Sequence, residues 1–100
     1  MGEERPHILL VEDEMHLARG ICFNLDLEGY RVSHAGSGEQ ALEMLGTDRF
    51  SLIILDVMLP GIDGFQVCRE VRRIDPRVPV LILSARVEEG SRITGLSSGA

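Results

Sequence analysis

Ser51-Leu52-Ile53-Ile54-Leu55-Asp56 is a run of four apolar residues, entered from a serine and closed by a carboxylate. A half-exposed strand would alternate in polarity. This run does not, and it reads as a strand buried on both faces. Pro60-Gly61 and Asp63-Gly64 follow and mark a tight loop. A helix is then expected over about 65–74, with Val67, Cys68, Val71 and Ile74 on one face and Asp75-Pro76 as its stop.

Working outward, the same alternation recurs. His7-Ile8-Leu9-Leu10-Val11-Glu12 is a second continuously apolar run that ends in acid. Met15, Ala18, Ile21, Cys22 and Leu25 then recur at helical spacing, and Gly29 is the C-terminal stop. Arg31-Val32-Ser33-His34-Ala35 alternates in polarity, as an edge or half-exposed strand does. Ser37 and Gln40 form a capping box ahead of a short helix with Ala41, Leu42 and Leu45 inward. Pro79-Val80-Leu81-Ile82-Leu83 is the third buried strand. The tail from Val87 to Ala100 reads as a weak helix, since Gly90, Gly95 and Gly99 each cost it about 1 kcal/mol relative to Ala.

The order βαβαβαβα predicts an α/β fold with a parallel sheet. One anomaly stands out. The 79–83 run is apolar on both faces, as a central strand is, yet no later strand remains to pair with its outer edge. An open apolar edge invites pairing. Either the natural protein continues past Ala100 or this edge meets another chain.

One hundred residues make one domain, and 44% hydrophobic with 26% charged residues excludes a disordered or low-complexity chain. No apolar run is long enough to cross a bilayer, and the acidic, polar start is not a signal peptide. A net charge of -6 argues against direct nucleic-acid binding. Cys22 and Cys68 show no metal or redox spacing and read as small buried thiols, consistent with a reducing cytoplasm. His7, His16 and His34 are scattered and read as structural or exposed. Arg69, Arg72, Arg73 and Arg77 give the third helix a basic outer face, read as a solvated face ahead of a docking patch.

Ligands of open parallel sheets bind beyond the carboxyl ends of the strands. The three buried runs deliver Glu12-Asp13, Asp56 and Ser84-Ala85 there. At an effective dielectric of about 20, two carboxylates about 4 Å apart repel by roughly 4 kcal/mol. Either one of them takes up a proton or a divalent cation compensates. Oxygen donors without His or Cys favour Mg²⁺, which commonly bridges carboxylates to phosphate, so phosphoryl chemistry is the first expectation. Asp56 would be the nucleophile, Asp13 the metal holder and Ser84 a donor to a phosphoryl oxygen. Blander readings exist for each: Glu12 and Asp13 as a solvated strand end or a helix N-cap, Asp56 as a turn former, Ser84 as a cap of the next segment.

These residues resemble a known family, the receiver domain of bacterial two-component response regulators. Leu9-Leu10-Val11-Glu12-Asp13-Glu14 resembles its first strand and acidic pair, and 55–64 resembles its phosphoacceptor motif nearly without departure. Leu83-Ser84-Ala85-Arg86 resembles its switch strand, and Gly95-Leu96-Ser97-Ser98-Gly99-Ala100 the end of its fourth helix. The resemblance implies a flavodoxin-like doubly wound sheet of order 2-1-3-4, and a receiver domain over 1–100 that is C-terminally incomplete. It implies that Asp56 accepts a phosphoryl group from a sensor histidine kinase. Mg²⁺ would be bound by Asp13, Asp56 and the Met58 carbonyl, with Glu12 acting through metal-bound water. Ser84 would transmit the switch, the Ala85 amide would hold phosphate, and Met58 and Arg86 would tune phosphate lifetime. The wording is closest to the OmpR/PhoB-type subfamily, whose members carry a winged-helix DNA-binding domain after the receiver and control transcription in the cytoplasm.

The departure is also informative. The family's fifth strand brings a Lys, and all ten basic residues here are Arg. The fifth helix, half of the usual dimerisation face, is missing as well, although a homodimer of the whole protein remains an expectation. The chain is not expected to be a conventional enzyme. The competing reading is a phosphorylation-incompetent receiver that acts as a protein–protein pairing module. A phosphohydrolase is disfavoured, because Met58 stands where such enzymes want a second acid and a P-loop needs a Lys.

Overall fold

A computed structural model describes residues 5–56 and 64–83. The elements are β1 (His7–Val11), α1 (Met15–Leu27), β2 (Arg31–Ala35), α2 (Gly38–Leu45), β3 (Leu52–Asp56), α3 (Gly64–Ile74) and β4 (Val80–Leu83). The strands form one parallel sheet in the order β2-β1-β3-β4. The expected α/β architecture and strand order are therefore present. The expected loop at 60–63 and weak helix at 87–100 lie outside the described residues.

Period-two geometry sorts each apolar strand onto two faces. Leu9, Val11, Ile53, Leu55, Val80 and Ile82 meet Ala41 and Leu45 of α2 and Val67, Cys68 and Val71 of α3. Ile8, Leu10 and Ile54 meet Ala18 of α1, with Ile21, Cys22 and Leu25 packed alongside. The alternating strand β2 is at the sheet's edge, as its pattern predicts.

Helix ends follow local chemistry. Gly29 takes φ +96°, and its N–H and that of Tyr30 bond back to Asp26 (3.0 Å) and Leu25 (3.1 Å), closing the last turn of α1. The Ser37 hydroxyl accepts from the Gln40 N–H (3.1 Å), while the Gln40 carboxamide accepts from the Gly36 N–H (2.8 Å). Arg72 donates to the carbonyls of Asp75 (3.0 Å) and Val78, tying the end of α3 to the approach of β4.

Three expectations need correction. Met15 and Ile74, placed on inward stripes, are 53% and 46% exposed. Each is the end residue of its helix, with packed neighbours on one side only. β4 is not buried on both faces: Val80 and Ile82 are buried, but Leu81 and Leu83 are only half-buried. Among the described residues α1 is the sole helix on that face, and it packs toward β2.

Candidate phosphoacceptor and metal site

The chain steps from β1 outward to β2, then crosses back over β1 to β3. That reversal leaves a crevice at the carboxyl ends of β1 and β3. Their register pairs Val11 with Leu55, so one residue further on Glu12 stands beside Asp56. The sheet itself thus forces two carboxylates together.

Glu12 (3% exposed) and Asp56 (6% exposed) are the buried charged side chains of the described core, and Asp13 beside them is exposed. One carboxylate oxygen from each lies within 4.8 Å of the others. The Glu12 carboxylate accepts from the Glu14 N–H at 3.0 Å. Glu14, not Asp13, caps α1: its carboxylate accepts from the Leu17 N–H at 2.8 Å. The alternative role of Asp13 as a cap is thereby filled by its neighbour, and Asp13 belongs to the cluster.

Burial pushes the Glu12 carboxyl up from 4.5 to about 7. The Glu14 N–H works against this, while the charge of Asp56, a hydrogen bond with it and the charge of Asp13 add to it. Of the two compensations expected for crowded carboxylates, this upward shift favours proton uptake when no cation is bound. A cation fits as well. Among the described residues all three donors are hard oxygens, and the positive end of α1 starts just beyond.

Met58, Ser84, Ala85 and Arg86 lie outside the described residues. β4 does run to the same rim, since Leu83 pairs with Asp56. His34, structural or exposed by its sequence setting, has its Nε2 2.7 Å from the carbonyl oxygen of Glu12. No local pattern signals that contact, because it joins residues 22 apart in sequence. His7 likewise bonds Ser33 (2.7 Å) and lies against Phe50. Cys22 is half-buried and Cys68 buried, both as free thiols. Among the described residues no helix is long and apolar enough to cross a membrane.

Known proteins bear on this geometry. The transcriptional regulatory protein AfsQ1 of Streptomyces coelicolor is 46% identical over 95 residues, which is 95% of this chain and 42% of that protein. The alkaline phosphatase synthesis regulator PhoP of Bacillus subtilis is 42% identical, over 93% of this chain and 39% of its own length. The chain thus spans about two fifths of each of these relatives. Among solved structures, the response regulator TrrA of Thermotoga maritima in complex with Mg²⁺ and BeF superposes with TM-score 0.78 at 32% identity. It covers 83% of this chain and 72% of that one. A CheY-like receiver of Methanospirillum hungatei, 23% identical with TM-score 0.80 over 85% and 70% of the two chains, shares the fold. The family model for the response regulator receiver domain matches residues 8–100. With its strand order, its acidic rim and its relatives in agreement, this chain belongs to the response regulator receiver family.

Proposed function

We propose that this receiver is a phosphoacceptor, with Asp56 as the residue that takes the phosphoryl group. The observation that carries the reading is the meeting of Glu12, Asp13 and Asp56 within 4.8 Å at the ends of two central strands. An Asp56 carboxylate oxygen attacks the phosphorus of a phosphohistidine on a sensor kinase. The new O–P bond forms as the P–N bond breaks, and the imidazole leaves with a proton. Burial at the strand end holds Asp56 in place and limits water around its carboxylate.

Asp13 and Asp56 would hold Mg²⁺ directly, with Glu12 acting through bound water. The sequence resemblance adds the Met58 carbonyl as a third ligand, Ser84 as the switch hydroxyl and the Ala85 amide as a phosphate donor. When bound, the cation supplies charge neutralisation for the incoming phosphoryl oxygens. Glu12, raised to about 7, would have to be ionised to serve a cation, and the exposed Asp13 would present its carboxylate to it from the solvent side.

The matched relatives are named as transcriptional regulators. We therefore extend the reading to the whole protein: phosphorylation shifts the receiver between two conformations and so controls an attached DNA-binding output domain in the cytoplasm. Its partners are a histidine kinase, the output domain and, in the whole protein, a second copy. It assists its own phosphorylation without being a conventional enzyme.

The test is intact mass after incubation with acetyl phosphate and Mg²⁺. One added phosphoryl group is expected on the wild type and none on Asp56→Asn. Equal labelling of both forms overturns the assignment of Asp56.

A further inference from the structure

Glu12 has to hold its carboxyl at the rim after the β1–β2 ladder has run out. Its N–H still finds a strand partner, donating to the Ala35 carbonyl at 3.0 Å. Its carbonyl does not: a continued parallel ladder would bring the Ser37 N–H to it, but β2 ends at Ala35 and Ser37 is already the N-cap of α2. The ladder's missing donor is supplied by a side chain: His34 Nε2 lies 2.7 Å from the Glu12 oxygen. A carbonyl only accepts, so this nitrogen carries the proton whether the ring is neutral or charged. His34 thus holds the peptide joining Glu12 to Asp13, the two residues whose carboxylates reach the cluster.

Resting on the phosphoacceptor reading above, we infer that His34 is a positioning residue for the acidic site. It clamps the Glu12–Asp13 peptide to the end of β2 and so fixes the direction in which both carboxylates meet a cation. It touches neither the cation nor the phosphoryl group. The ring lines a groove between α1 and β2, with Ala18, Cys22 and Val32 beside it. Solvent therefore reaches the Glu12 carbonyl when the imidazole is removed, and the chain still folds. What water does not restore is the fixed direction of the peptide.

The experiment measures Mg²⁺ affinity by titration, and amide exchange at Glu12 and Asp13 in the metal-free chain. The wild type is compared with His34→Leu, His34→Gln and Val32→Ala. Val32→Ala trims the same strand and the same groove without touching the clamp, and serves to match a loss of stability. His34→Leu is expected to weaken Mg²⁺ binding about tenfold, as loss of an outer-sphere partner does. It is also expected to speed exchange at the two amides roughly fivefold, the equivalent of one hydrogen bond. His34→Gln keeps an N–H donor at the same reach and restores both. Val32→Ala lowers the unfolding midpoint and leaves the affinity alone. Equal affinity in wild type and His34→Leu overturns the clamp while leaving the acidic site standing. So does an affinity loss in Val32→Ala as large as that in His34→Leu. Absence of Mg²⁺ binding in the wild type overturns the metal assignment and the clamp with it, and labelling of Asp56 by acetyl phosphate in that case leaves the phosphoacceptor reading standing.

Discussion

Glu12 and Asp13 are adjacent acids with different environments, and the difference sets their roles. Asp13 is exposed, whereas Glu12 is 3% exposed and titrates at about 7 instead of 4.5. Between those two values the folded state holds a proton that the unfolded state has released. By linkage, stability falls as pH rises across that window. The full shift corresponds to about 3 kcal/mol. In metal-free solution the urea midpoint is expected to drop between about pH 5 and pH 7.5, and Glu12→Gln to remove most of the drop. An unchanged pH slope in Glu12→Gln would count against this. His7 works in the opposite sense. Burial, with Arg31 next in weight, lowers its pKa below 6.5, so its share of stability rises with pH up to that value. That residual upward slope should show once Glu12 is neutralised. On the proposed metal-site reading Mg²⁺ would compete with the Glu12 proton, and its stabilising effect is expected to be larger at the alkaline end.

Two glycines associated with α1 show how one residue type acts in opposite ways. Gly20 is exposed in the helix interior, and a Cβ there would meet nothing within 4 Å. Gly20→Ala is expected to raise stability by about 0.5–1 kcal/mol. Gly29 also has open space around it, yet its φ of +96° is one that an L side chain resists. Gly29→Ala is expected to lower stability by about 1 kcal/mol. Thermal unfolding of the two variants should move in opposite directions; a shift of the same sign would refute the account of the helix stop. In α2, Ser37→Ala removes the acceptor for the Gln40 N–H and is expected to cost about 1 kcal/mol.

For the molecule as a whole, the two sides of the sheet are unequally covered. α2 and α3 close over one face, where Ile53, Leu55, Val67, Val71 and Val80 are fully buried. On the other face α1 buries Ala18 alone among its own residues, and Leu52, Leu81 and Leu83 remain half-buried. Ile53→Ala is expected to destabilise by about 2–5 kcal/mol because it leaves a cavity in closed packing. Leu81→Ala removes surface already partly wet and is expected to cost about half as much. Denaturant unfolding of both variants checks the asymmetry, and equal losses would contradict it.

The sequence alone determined the elements, the parallel sheet and the three acids at the strand ends. Apolar runs, helical spacings and stop residues are local signals, and each acid follows its run directly. The Gly29 stop and the Ser37 cap were legible for the same reason. Tertiary structure decided what depends on partners distant in the chain. The β1–β3 register brings Glu12 to Asp56, and burial there raises the Glu12 pKa. Glu14 rather than Asp13 proved to be the cap, which depends on which backbone amide each carboxylate reaches. The exposure of Met15 and Ile74 depends on where a helix ends relative to the sheet, which spacing does not encode. The bond from His34 to Glu12 exists because two strands end side by side, a coincidence in space with no trace in either local pattern.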